Sequence, residues 1–96
     1  MKKNRKVVLI TGAATGIGSS IAKSYINQGH NVHICDYDKK RLQKFLDENS
    51  NTTGNLADVS NPSDVKYTFN KIIDLYKQLN ILVNNAGISG ESALTE

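Results

Sequence analysis

Short apolar runs alternate along this chain with longer segments in which apolar residues recur every three or four positions. The runs Val7–Ile10, Asn31–Cys35 and Ile81–Val83 are short and rich in β-branched residues, which is typical of strands buried in a parallel sheet. A further short strand is predicted within GNLADVS, residues 54–60, ending near Asp58. The pattern therefore predicts four strands.

Three amphipathic helices are predicted between these strands. The first runs from about Ile17 to Gln28 and is followed by Gly29, a residue that commonly ends helices. The second runs from about Lys39 to Glu48 behind the capping residue Asp38, and the third begins at Asn61-Pro62. The predicted buried faces of the three helices are Ile17, Ile21, Ala22, Tyr25 and Ile26; Leu42, Phe45 and Leu46; and Val65, Phe69, Ile72, Ile73 and Tyr76.

Strict alternation of strands and helices predicts an α/β fold with right-handed crossovers. The strands are expected to form a parallel sheet in the order 3-2-1-4, with a fourth helix missing after the last strand. In such sheets ligands bind beyond the carboxyl ends of the strands, where the strand order reverses. The segments that follow strands one, two and four are therefore the candidates for a ligand site.

A glycine-rich turn joins the first strand to the first helix. Backbone N–H groups in such a turn, together with the helix dipole, favour a bound phosphate. The spacing is G-x-x-x-G-x-G rather than the G-x-G-x-x-G dinucleotide fingerprint, and the alternative is a plain loop. Gly12 would allow the tight turn, Gly16 would let a pyrophosphate approach the backbone, and Gly18 would let the helix pack closely on the strand. The motif G-x-x-x-x-G-K-[ST] does not occur, and Ser19 stands where it requires lysine, which argues against a P-loop NTPase.

An acidic residue, Asp36, ends the second strand 18 residues after Gly18. At that place a carboxylate accepts hydrogen bonds from the ribose hydroxyls of an adenosine; the alternative is an ordinary loop residue or a partner of Lys39. Its charge would repel a 2′-phosphate by roughly 1–4 kcal/mol, which favours NAD over NADP. Lys40 and Arg41 are expected, like Lys39, on the outer face of the next helix, away from the ligand.

Two further strand ends carry candidate contacts. Asp58 and Val59 would accept from an adenine amine and supply an apolar wall, or else simply form the loop that leads into the third helix. The small residues of Asn84–Gly87 would let a nucleotide lie against the backbone, and an Asn side chain there can tie neighbouring strand ends together.

Composition and charge exclude several classes of function. The net charge is +3, and the basic residues at positions 2–6 lack interleaved aromatic residues, so we expect a solvated terminus and no nucleic-acid partner. The apolar run that follows is too short for a membrane span or a secretory signal. The single cysteine, Cys35, is expected to be a buried structural thiol in a reducing cytoplasm. His33 is expected to be a packed strand residue, and no ligand cluster predicts a metal site.

Tyr67 and Lys71 have the Tyr-x-x-x-Lys spacing of a catalytic acid and its partner. At 100° per residue they lie about 200° and 240° around the third helix from Val65, so both point away from the buried face. We predict that they are solvated surface residues.

Taken together, TGAATGIG at residues 11–18, Asp36, ADV at 57–59 and NNAG at 84–87 resemble the N-terminal half of the short-chain dehydrogenase/reductase family. The resemblance implies a Rossmann-type doubly wound sheet, a nicotinamide cofactor and hydride transfer to or from a small alcohol or carbonyl substrate. It is compatible with a homo-oligomer. The cofactor-binding residues that it implies are Gly12, Thr15, Gly16, Ile17, Gly18, Asp36, Asp58, Val59, Asn85, Ala86 and Gly87.

The family's catalytic Ser and Tyr-x-x-x-Lys follow NNAG, whereas the sequence given stops nine residues past Gly87. No residue is therefore assigned a catalytic role, and residues 1–96 are interpreted as a partial NAD(P)-binding domain that is inactive alone. With its later strands and helices absent, it would be weakly stable and leave strand four as an open apolar edge. The alternatives are a truncated nucleotide-binding remnant or an interaction protein; an S-adenosylmethionine-dependent methyltransferase is disfavoured by the glycine turn followed by NNAG.

Overall fold

The structure, a computed structural model, describes residues 5–14 and 16–85. Strands and helices alternate through this part of the chain. In chain order they are β1 (Val7–Thr11), α1 (Gly16–Asn27), β2 (Asn31–Asp36), α2 (Lys39–Glu48), β3 (Thr53–Leu56), α3 (Pro62–Tyr76) and β4 (Ile81–Val83).

The four strands form one parallel sheet in the order β3-β2-β1-β4, which confirms the predicted fold class and strand order. Val8 of β1 pairs with Val32 of β2 on one side and with Ile81 of β4 on the other. The chain thus reverses its direction of travel across the sheet between β3 and β4. This reversal places the carboxyl ends of β1 and β4 side by side.

The strand bounds differ slightly from the predicted ones. β1 and β2 each extend one residue further, to Thr11 and Asp36, whereas β3 ends at Leu56, before the predicted end near Asp58. The Ala57 N–H still donates to the carbonyl of Asp36 at 3.0 Å. Beyond it the Asp58 carboxylate bonds Ser60, which turns the chain out of the sheet.

The sheet has an apolar cluster on each face. One lies under α1 and α2 and the other under α3. The residues of β1 alternate between the clusters: Val8 and Ile10 belong to the first, Val7 and Leu9 to the second. Every residue of β1 is buried, as a central strand covered on both faces requires.

Local hydrogen bonds set the helix ends as the sequence predicts. The Asp38 carboxylate accepts from the backbone N–H of Arg41 at 3.0 Å at the start of α2. The Asn61 side chain accepts from the N–H of Ser63 at 2.9 Å at the start of α3. Gly29 follows α1 with φ +89°, the left-handed conformation that glycine adopts without strain.

Two residues predicted on buried helix faces are exposed. Ile17 is 73% exposed because α1 buries Gly18 and Ala22, and Ile17 lies about 120° around the helix from the midpoint between them. Ile73 of α3 is also exposed. α3 is rotated so that Thr68, which was not predicted to be buried, contacts β3, and Ile73 turns away from the sheet.

His33 lies fully buried in a polar network between β2, β3 and α3. Its Nε2 is 2.6 Å from Asn55 Oδ1, an acceptor, so Nε2 carries the proton and donates. Its Nδ1 is 2.7 Å from Thr53 Oγ1, which is 2.8 Å from the Tyr76 hydroxyl. The Asn55 amide in turn donates to Thr68 Oγ1 at 2.9 Å. His33 is thus a packed strand residue, as predicted, and it joins α3 to the sheet edge.

This network predicts a loss of stability in mild acid. Burial, aided by the charge of Lys71, lowers the pKa of His33 below its usual 6.5 despite the opposing hydrogen bond with Asn55. The unfolded chain therefore binds a proton near pH 6.5 that the folded chain resists. In the full protein, the free energy of unfolding measured by urea titration should fall as the pH decreases through 6.5.

The matched variants are His33→Gln and Asn70→Gln. His33→Gln removes the buried titrating group, so its loss of stability between pH 7 and pH 5 should be smaller than that of the wild type. Asn70→Gln changes an exposed residue of α3 that does not titrate and should leave the pH dependence unchanged. Equal slopes for His33→Gln and the wild type would contradict the assignment to His33.

Candidate functional site

The candidate residues after β1, β2 and β4 meet at one edge of the sheet. These three strands are neighbours and parallel, so their carboxyl ends emerge together. The first turn of α1 begins at the same edge, directly after the glycine turn. The structure therefore brings together the phosphate-turn, ribose and strand-four candidates that lie among the described residues.

The glycine turn is held against the end of β2. The Gly12 N–H donates to the carbonyl of Cys35 at 2.9 Å, and Gly12 has φ +62°. Gly16 has φ +65° at the first position of α1, and a Cβ placed on it would meet nothing within 4 Å. The turn thus has open space above Gly16, at the N-terminus of a 12-residue helix. That is where an anion is stabilised by backbone N–H groups and the helix dipole.

Gly18 is required for the close approach of α1 to β1. A Cβ on Gly18 would lie 2.5 Å from the Gly12 carbonyl oxygen and 2.9 Å from Ala13 Cα. It would also lie 2.8 Å from the Asn85 amide nitrogen. Since the first two atoms belong to the backbone, they can move only if the turn moves.

The asparagines after β4 tie its end to β1 and the turn. The Asn85 amide donates to the Gly12 carbonyl at 3.1 Å, and Thr11 Oγ1 lies 3.2 Å from Asn84 Oδ1. These are the links between strand ends that the sequence predicted. The Asn85 side chain thereby holds the carbonyl that Gly18 also approaches.

The Asp36 carboxylate lies next to the glycine turn, with its side chain only 3% exposed. Its Oδ2 accepts from the Ala14 N–H at 3.3 Å, and its Oδ1 accepts from the Asp38 N–H at 2.9 Å. These backbone bonds fix the carboxylate between the turn and the start of α2. Beneath it, burial and the Asp36 charge raise the pKa of Cys35 to about 11, so the thiol stays protonated and structural, as predicted.

Arg41 was predicted on the outer face of α2, and that prediction is wrong. Its Nη2 lies 3.2 Å from Asp36 Oδ1, and its guanidinium carbon lies 5.2 Å from the ring centroid of Tyr37. The alternative that Asp36 pairs with Lys39 is also wrong, because Arg41 occupies that role. The sequence did contain a signal for this contact. Asp38 and Arg41 are three residues apart, a spacing at which side chains at the start of a helix lie close together, so the guanidinium could have been expected near the end of β2.

Asp58 and Val59 follow β3 at the same end of the sheet. Asp58 is exposed, and its Oδ1 accepts from the hydroxyl and the N–H of Ser60, bonds that lower the pKa of Asp58. Val59 is half-buried and packs against the cluster under α3. It also lines a cavity of about 190 Å³ with Ala57, Leu82 and other apolar residues. Asp58 and Val59 thus lie in the loop that leads into α3, as an exposed carboxylate and a half-buried apolar residue, and their contact with an adenine stays a prediction.

The remaining predicted positions are the Tyr-x-x-x-Lys pair of α3 and three cofactor-binding candidates. Tyr67 is exposed, as expected, and Lys71 is half-buried on the flank of α3. Thr15, Ala86 and Gly87 lie outside the described residues.

Within residues 5–14 and 16–85, no helix is long and apolar enough to cross a membrane. The same part of the chain holds no group of three or more His, Cys, Asp and Glu side chains that would bind a metal ion.

Comparison with known proteins identifies the family of this chain. A family model described as short chain dehydrogenase matches residues 6–96. The chain belongs to the short-chain dehydrogenase/reductase family. A related cyclohexanol dehydrogenase from Acinetobacter sp. (strain SE19) is 37% identical over 99 residues, covering 99% of this chain.

Solved structures of this dehydrogenase/reductase family have the same fold as the chain. A 3-ketoacyl-(acyl-carrier-protein) reductase from Brucella melitensis, solved with NADH, matches 92% of this chain with a TM-score of 0.82 and 35% identity. An actinorhodin polyketide ketoreductase, solved with NADPH, matches 91% of it with a TM-score of 0.85 and 30% identity. The chain spans 39% of the cyclohexanol dehydrogenase and 36% and 35% of these two structures. It therefore corresponds to a little over a third of these dehydrogenases and reductases.

Proposed function

We propose that the full protein transfers hydride between a nicotinamide cofactor and a small alcohol or carbonyl substrate, in the cytoplasm, with NAD preferred over NADP. Residues 1–96 are its partial cofactor-binding domain. Membership of an oxidoreductase family supports the reaction class. The names of similar proteins, which include an alcohol dehydrogenase and two carbonyl reductases, support the substrate class.

The observation that carries this proposal is the Asp36 carboxylate fixed beside the glycine turn. The Ala14 N–H of the turn bonds Asp36 directly, so the phosphate site and the ribose site are coupled through one residue. The open space above Gly16 fits a pyrophosphate, since a Cβ there would project into it. The residues of this chain thus fit the adenosine diphosphate half of a nicotinamide dinucleotide.

The proposal divides the work between this chain and the rest of the protein. Residues of this chain bind and orient: backbone N–H groups of the turn hold the pyrophosphate, Asp36 holds the ribose, and Asp58 and Val59 hold the adenine. Asn85 positions the turn through the Gly12 carbonyl. When bound, the nicotinamide supplies or accepts the hydride. Proton transfer requires an acid such as a tyrosine of lowered pKa, which we place in the remainder of the full protein; residues 1–96 alone should not catalyse the reaction.

The experiment is a calorimetric titration of the full protein with NADH, NADPH and S-adenosylmethionine, in the wild type and in Asp36→Asn. The wild type should bind NADH more tightly than NADPH and should not bind S-adenosylmethionine. Asp36→Asn removes the charge that repels a 2′-phosphate and weakens the bonds to the ribose hydroxyls. The preference for NADH over NADPH should therefore fall about tenfold or more.

The control variant is Asp47→Asn, which removes one carboxylate from the exposed side of α2. It should leave the affinities for both dinucleotides within twofold of the wild type. Tight binding of S-adenosylmethionine in place of NADH would contradict the proposed oxidoreductase function. An unchanged NADH preference in Asp36→Asn would remove Asp36 from the ribose site.

A further inference from the structure

The Arg41 guanidinium covers the carboxylate that is proposed to read the ribose. Arg41 Nη2 lies 3.2 Å from Asp36 Oδ1, its Nε lies 3.7 Å from Asp38 Oδ2, and its side chain is 37% exposed. The guanidinium also stacks over the Tyr37 ring, at 5.2 Å from its centroid. Arg41 therefore occupies one side of the carboxylate that a ribose would contact.

The hydrogen bonds of Asp36 leave little room for a ribose with two free hydroxyls. A carboxylate has about four acceptor positions, two on each oxygen. Oδ1 accepts from the Asp38 N–H and from Arg41 Nη2, and Oδ2 accepts from the Ala14 N–H. These three hydrogen bonds, which come from residues that the structure describes, leave one of the four acceptor positions of Asp36. A ribose that donates both hydroxyls to Asp36 gains the second bond only when Arg41 moves away from Oδ1.

A 2′-phosphorylated ribose needs fewer acceptors on Asp36 and a cation close by. It has one free hydroxyl, which fits the remaining position on Asp36, and a dianionic group beside it. A guanidinium binds phosphate through charged, forked hydrogen bonds. Arg41 lies within contact distance of Asp36 and is held over Tyr37 by an attraction that does not depend on Asp36. It is therefore placed to turn from the carboxylate to the phosphate.

We propose that Arg41 is a specificity-determining residue that opposes Asp36 and gives the full protein appreciable affinity for the 2′-phosphorylated dinucleotide. The proposal rests on the cofactor site proposed above. Asp36 favours NAD through its charge and its bonds to ribose hydroxyls. Arg41 neutralises part of that charge, competes with one hydroxyl and offers a cation to the 2′-phosphate. The preference for NAD is consequently weaker than Asp36 alone would set.

The test measures the dissociation constants of NADH and NADPH for the full protein and for Arg41→Gln by calorimetry. Loss of one charged phosphate contact should raise the NADPH constant about tenfold. The NADH constant should stay the same or decrease, because the competitor for Asp36 is gone. Added salt should weaken NADPH binding more in the wild type than in Arg41→Gln, since an exposed ion pair is screened.

The matched control is Lys40→Gln, which removes the same charge from the exposed neighbouring position of α2. It should change the ratio of the two constants by about twofold or less, as a distant screened charge would. An equal change in Lys40→Gln and Arg41→Gln, or an unchanged ratio in Arg41→Gln, overturns the role of Arg41 and leaves the cofactor site standing. Absence of binding by either dinucleotide in the folded wild type overturns both proposals.

Discussion

Gly16→Val is expected to abolish measurable NADH binding by the full protein, raising the dissociation constant at least about a hundredfold. Two effects act together. Valine is strained at φ +65°, which displaces the N–H groups at the start of α1. Its side chain would also occupy the open space that a pyrophosphate requires, since nothing in the protein lies within 4 Å of a Cβ there. Calorimetric titration of the folded variant measures the loss.

Gly29→Val is the control for backbone strain introduced away from the turn. Gly29 also has a positive φ, +89°, and a Cβ added to it would meet only open space, so valine is strained there too. It follows the far end of α1, about 18 Å from the turn for a 12-residue helix. This variant should lose stability and still bind NADH as the wild type does. If Gly16→Val retains NADH affinity, the phosphate site lies elsewhere.

Gly18→Ala is expected to destabilise the full protein by about 3 kcal/mol, a value typical of severe overpacking. The added methyl group would lie 2.5 Å from the Gly12 carbonyl oxygen and 2.8 Å from the Asn85 amide nitrogen. Relief requires α1 to move off the turn, or the Gly12 carbonyl and the Asn85 amide, which are hydrogen-bonded to each other, to shift away from the new methyl group. Urea unfolding followed by circular dichroism measures the change in the free energy of unfolding.

Ser20→Ala provides the control on the same helix. Ser20 is exposed, so a change to alanine should alter stability by no more than about 0.5 kcal/mol. A Gly18→Ala protein as stable as the wild type would mean that α1 does not approach the turn as closely as the structure has it. NADH affinity should also fall in Gly18→Ala, because the N–H groups of the turn shift with the helix.

The two glycine variants test different properties of the turn between β1 and α1. Gly16 leaves space for the ligand, whereas Gly18 lets the helix reach the turn and the end of β4. The Asn85 amide, which follows β4, donates a hydrogen bond to the same Gly12 carbonyl that a Cβ on Gly18 would approach. A change at either glycine is therefore expected to affect cofactor binding, but only the change at Gly18 acts by separating packed backbone.

The sequence by itself determined the elements and their order. Caps such as Asp38 and Asn61 act on N–H groups two or three residues away, so their effect is local and visible in the sequence. The alternating apolar runs and the handedness of crossovers predicted a parallel sheet, and the predicted order β3-β2-β1-β4 is the one observed. The glycine spacing and the acidic end of β2 indicated the edge of the sheet where the candidate site lies.

Only the tertiary structure decided how side chains from different elements meet. The sequence left Arg41 on an outer face, because the pairing with Asp36 depends on how α2 follows the turn after β2. It placed Ile17 and Ile73 on buried helix faces and did not include Thr68 there, because an apolar face read from one helix does not include the rotation set by its neighbours. Periodicity measures angles within an element, whereas burial and ion pairing depend on distances between elements.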